Sequence, residues 1–128
     1  MHKQRIFSPS RGMTVDERKL LSFLLGAEFP GRDVLREQAT TAMVSRDCSD
    51  CPTFELKVDR RCPRAQVKRT VPIEAEGRDS DGVAVQVLLH VVDGYLSELE
   101  VFRYDEKTIE QVPDPANLTL VDLDKLPL

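Results

Sequence analysis

"LLHVVDGYLSELEVF", residues 88–102, decides how this chain folds. Two apolar runs flank Asp93-Gly94, a dipeptide that favours the tight turn of a β-hairpin. A two-residue turn pairs Val92 with Tyr95 and, counting outward, sets Leu89 against Glu98 and Val87 against Glu100. A three-residue loop Val92-Asp93-Gly94, with Gly94 as a left-handed bulge residue, instead pairs Val91 with Tyr95, Leu89 with Ser97, Val87 with Leu99 and Val85 with Val101. A slip of one residue carries a strand's whole apolar set to the other face. Burying an unpaired carboxylate costs several kcal/mol, more than the difference between turn types. The bulged turn is therefore expected. One face of the hairpin is then aliphatic, and the other carries Gln86, Leu88, His90, Leu96, Glu98, Glu100 and Phe102.

Outward from this hairpin, the period of two continues. "TVPIEAEG" alternates Val71, Ile73 and Ala75 against Glu74 and Glu76, which sets both glutamates on the same face as Glu98. Pro72 lacks a donor, so this is an edge strand or Pro72 stands at its start. "TFELKVD" alternates Phe54, Leu56 and Val58 against Thr53, Glu55 and Lys57, and "AMVSRD" and "NLTLV" are further candidate strands. Before Ala42 the period is helical. Thr14-Val15-Asp16-Glu17 is a capping box ahead of Leu20, Leu21, Phe23, Leu24 and Leu25, and Gly26 can end that helix by adopting positive φ. A second helix is expected from about Gly31–Arg32 to about Ala42. The fold class is α+β: two N-terminal helices packed on one face of a four- or five-stranded antiparallel meander. Residues 1–13 are expected as a disordered extension, and residues 14–128 as a single domain.

Composition limits what the domain does. The chain has 128 residues, no tryptophan, two tyrosines and five phenylalanines, too few aromatic platforms for stacking on bases or sugars. The formal charge of −4 is segregated. Residues 60–69, "RRCPRAQVKR", hold five bases and no acid, whereas residues 98–128 hold eight acids against three bases. The basic stretch reads as a solvated loop. Without a recognition helix or overall positive charge it argues against nucleic-acid binding. No apolar run reaches the length of a membrane helix, and the N-terminus has no apolar core of a secretory signal. With three cysteines, an odd number, these features point to the cytoplasm and reduced thiols.

Cys48-Ser49-Asp50-Cys51, with Cys62 eleven residues on, resembles half of a zinc site. A fourth ligand is missing unless the strand of His90 lies alongside. A redox CxxC wants a helix N-terminus, but here Pro52 and a strand follow, and Asp47 and Asp50 disfavour a thiolate. Neither is assigned, so no catalytic residue, cofactor or metal is expected. What remains is the polar face of the sheet: Glu74, Glu76, His90, Leu96, Glu98, Glu100 and Phe102. Carboxylates interspersed with apolar side chains suit docking of a basic protein. The alternative is a small enzyme or ligand-binding module with a pocket in which His90 works with Glu98 as acid and base. Against it stands the absence of a nucleophile elbow, a glycine-rich phosphate loop or an HExxH motif. Oligomeric state is not legible.

"FPGRDVL", "CPTFELKVD", the block from Val71 to Tyr104 ("VPIEAEGRDSDGVAVQVLLHVVDGYLSELEVFRY") and "PDP" together resemble an uncharacterised family of short bacterial proteins, a domain of unknown function. The resemblance spans residues 14–118 and implies a single domain, with no activity or catalytic residue to carry over. In size, acidity and layout the chain is also similar to immunity proteins of bacterial toxin systems. The expected role is therefore a non-enzymatic, immunity-like interaction module with an acidic face.

Overall fold

The computed structural model describes residues 10–48, 50–109, 111–121 and 123. Two helices, α1 (Val15–Leu24) and α2 (Arg32–Ala39), precede strands β1 (Met43–Asp47), β2 (Phe54–Lys57), β3 (Ile73–Arg78), β4 (Ala84–Val92), β5 (Tyr95–Arg103) and β6 (Leu118–Val121). The class is α+β, but the antiparallel sheet has six strands, not four or five, in the order β1-β2-β5-β4-β3-β6. Nor is it a plain meander. β1 and β2 are neighbours, and β3, β4 and β5 follow one another in space, but β2 joins the free side of β5, and the late strand β6 returns to β3. β3 is thus interior, and Pro72 stands just before it, where its missing donor costs no ladder bond.

The capping box forms as its sequence requires. The Thr14 side chain accepts the Glu17 amide at 3.1 Å, and Glu17 Oε1 accepts the Thr14 amide at 2.8 Å. Glu17 is 6 % exposed, and its charge is met by Arg11, which donates to both carboxylate oxygens at 2.8 and 2.9 Å. The same guanidinium reaches Asp47, and the Arg11 backbone bridges Val44. Arg11 therefore ties α1 to β1, although the sequence places it in the expected extension. Residues 1–9, with His2, lie outside the described residues. Two helix-end expectations are corrected. Gly26 is not among the residues at positive φ, and α1 closes on Leu25 in a right-handed conformation. α2 ends at Ala39, where the Thr40 hydroxyl caps the Glu37 carbonyl at 2.6 Å.

Leu20, Leu21 and Leu24 of α1 and Leu35 of α2 share one buried cluster with Phe54, Ile73, Val85, Val87, Leu89, Leu99 and Val101 of the strands. No described helix is long and apolar enough to cross a membrane.

The hairpin register differs from both alternatives counted from the turn. Asp93 and Gly94 both have positive φ, 53° and 81°, and they form the tight two-residue turn that pairs Val92 with Tyr95. Val91 then pairs with Leu96, but His90 pairs with Glu98, so Ser97 is an extra residue on β5. The bulge lies inside the strand rather than at Gly94. Beyond it Leu89 meets Leu99, Val87 meets Val101 and Leu88 meets Glu100. Turn chemistry and apolar pattern demand registers that differ by one residue, and the bulge reconciles them.

The cysteine expectation is also corrected. Cys48 and Cys51 are joined in a disulfide in the β1–β2 connection, and Cys62 is free. With their sulfurs bonded to each other, Cys48 and Cys51 offer no thiolate for a zinc site.

Candidate functional site

Because side chains alternate along each strand, the register sets the rows of the polar face. One row runs Arg46, Glu55, Glu98, His90 across β1, β2, β5 and β4. The next carries Glu100, Leu88, Glu74 and Val121, and a third carries Phe102, Gln86, Glu76 and Thr119. Glu74, Glu76, Glu98, Glu100, His90 and Phe102 therefore share one face, as their spacing predicts. Leu96 does not. Two per cent exposed, it belongs to the buried cluster. The physical reason is the bulge: Ser97 resets the alternation, so Leu96 turns to the core while Glu98 turns away.

His90 Nε2 lies 2.8 Å from Glu100 Oε1 and 3.7 Å from Glu98 Oε1. The expected partner, Glu98, is directly across the ladder, but the closer contact is to Glu100, on the neighbouring strand's next outward position. Burial pushes the Glu98 carboxyl above the usual glutamate range; Glu100 and Glu55 add to this, and His90 opposes it. Glu55 stands directly opposite Glu98, an unfavourable pairing of like charges that Arg46 relieves from the other side at 3.2 Å. Among the described residues neither Glu98 nor Glu100 has a lysine or arginine ion-pair partner.

The third row is held by polar side chains. Tyr104 donates its hydroxyl to Gln86 Oε1 at 2.8 Å, and Gln86 Nε2 donates to Glu74 at 3.0 Å. The Phe102 ring meets Tyr104 edge-on, with centroids 5.9 Å apart. Tyr104, Gln86 and Glu55 stand outside the set of site residues that the sequence predicts. The alternation of "TFELKVD" places Glu55 on a polar face, but its pairing with Glu98 depends on β2 reaching across the chain to β5. Two surface cavities lie elsewhere: one is lined by Phe29, Lys68, Pro72 and Leu120, another by Met13, Val15, Phe23 and Pro115. His90 and Glu98 line neither.

The basic stretch 60–69 packs on the hairpin turn. Arg60 sits 4.1 Å from the Tyr95 ring centroid, and the Ala65 amide donates to the Gly94 carbonyl at 2.8 Å.

Compared with known proteins, residues 10–113 match a family model whose description is a domain of unknown function. No curated protein and no solved structure matches the chain.

Proposed function

The chain belongs to the family described as Domain of unknown function (DUF6984), which hands on no activity, and we propose on that premise that it is a non-enzymatic interaction module. It acts in the cytoplasm in an immunity-like role and uses its acidic sheet face to bind a basic protein. In this reading the two helices close the aliphatic face of the sheet and leave the opposite one to the partner. The observation that carries it is the row structure itself. Glu55, Glu74, Glu76, Glu98 and Glu100 come from strands of one sheet onto one face, with Leu88 and Phe102 between them. Carboxylates held on a rigid sheet steer a cationic protein and fix its orientation, while half-buried apolar side chains supply area to desolvate.

The test is binding of the purified chain to the products of genes adjacent to its own, measured across salt concentrations. A partner that fits has a basic surface, loses at least about tenfold in affinity between roughly 0.05 and 0.5 M salt, and fails to bind Glu98→Lys/Glu100→Lys. Binding that ignores both salt and the double charge reversal overturns the reading.

A further inference from the structure

We propose that His90, Glu98 and Glu100 together bind a divalent transition cation of the zinc type. This goes beyond the docking reading and does not rest on it.

The donor set is one imidazole nitrogen and two carboxylates. Calcium and magnesium take shells of oxygen alone, whereas an imidazole nitrogen beside carboxylates suits zinc and its first-row neighbours. His90 Nε2 is turned into the space between the two glutamates. Its distances to their nearest oxygens are 2.8 and 3.7 Å, and one ligand atom from each of the three residues lies within 4.8 Å of the others. A tetrahedral ion with bonds of about 2.0–2.2 Å sets its donors about 3.3 Å apart. The observed separations bracket that value, so the three side chains can close on an ion by small rotations.

The backbone holds them for this. His90 and Glu98 are directly paired on the two central strands of the sheet, and Glu100 is the next outward residue of β5. Charge favours the same conclusion. Glu55 is compensated by Arg46, but the carboxylates of Glu98 and Glu100 meet no fixed cation among the described residues. The three side chains are 30 %, 31 % and 41 % exposed, which leaves an open side for water as a fourth ligand. On binding, the ion takes the lone pair of His90 Nε2, and the imidazole carries its proton on Nδ1.

The experiment uses the full chain with zinc alone, and with cobalt(II) as a spectroscopic probe. We expect one equivalent to bind, with visible bands of four-coordinate cobalt. His90→Gln and Glu100→Gln weaken it by more than about tenfold, the least that even an outer partner of a metal ligand costs. Replacing all three cysteines with serine leaves it intact. Should a variant fail to fold, the wild-type chain still decides: zinc must shift the ring nitrogens of His90 to the Nε2-metallated form. Affinity unchanged in His90→Gln, loss confined to the cysteine variant, or a His90 ring that zinc leaves unmoved means an adventitious ion only and overturns the proposal.

Discussion

The backbone amide of Leu96 donates to Gln38 Oε1 at 3.0 Å, and through this bond helix α2 holds the bulge in β5. A bulge interrupts the ladder, and a buried amide beside it needs another acceptor. Gln38, fully buried, supplies one. Its Nε2 also donates to the carbonyls of Gly94 at 2.8 Å and Pro63 at 2.9 Å. One side chain thus joins α2, the hairpin turn and the basic loop. Gln38→Leu keeps the volume and removes all three bonds. Stability should fall by about 2–3 kcal/mol, the cost of leaving buried polar groups unpaired, read as a lower midpoint in urea unfolding with an unchanged slope.

Gly94 is required twice over. Its φ is +81°, and a Cβ there would lie 2.7 Å from Arg64 Cβ and 2.9 Å from the Ala65 carbonyl oxygen. Gly82 has a similar φ, +86°, but a Cβ there would meet nothing within 4 Å. Gly82→Ala should therefore cost only the conformational penalty of about 1–2 kcal/mol. Gly94→Ala should cost clearly more, because the loop over Tyr95 must move away. Hydrogen exchange at the Ala65 amide should rise in Gly94→Ala and not in Gly82→Ala.

Gln38 and Gly94 show what is legible in the sequence and what is not. Element types follow from local pattern: the capping box at Thr14 and the alternation from Ile73 to Phe102 place their helix and strands. The faces of Glu74, Glu76, Glu98 and Glu100 follow as well, because core residues on the same strands leave them no other side. The position of the bulge does not. It depends on Gln38, fifty-eight positions from Leu96, and nothing near Ser97 announces an extra residue. Spacing alone puts Leu96 on the wrong face for that reason. The approach of β2 to β5 and the return of β6 to β3 are long-range pairings of the same kind.

Glu98 ionises against burial and against Glu55 and Glu100. A carboxyl raised in the folded state contributes stability that is fully present below its ordinary value of 4.5 and is lost as pH rises through the folded value. Glu98→Gln cannot ionise and escapes that loss. With chelator present, it should be more stable than the parent chain at pH 7 by about 0.5 kcal/mol, a value kept small by solvent screening. The advantage should disappear in thermal melts taken below the ordinary glutamate range.

Arg103 behaves in the opposite sense. Seven per cent exposed, it donates to Asp79 at 2.8 Å, Asp81 at 2.8 Å and Asp105 at 2.7 Å, clamping the β3–β4 turn to the end of β5. The guanidinium holds the Asp105 carboxyl down at about 2, against an ordinary value of 3.8. A depressed carboxyl contributes stability above its ordinary value and loses it as pH falls through the folded one. The parent chain should therefore lose stability between about pH 4 and pH 2. Asp59, held at about 2 by Arg61, titrates in the same window, so Asp105→Asn should flatten the loss only in part. Arg103→Met leaves three clustered carboxylates without their cation. Its thermal midpoint at pH 7 should drop by roughly 10 °C and recover towards the parent value as acid neutralises them, a crossing that melts taken across this pH range would reveal.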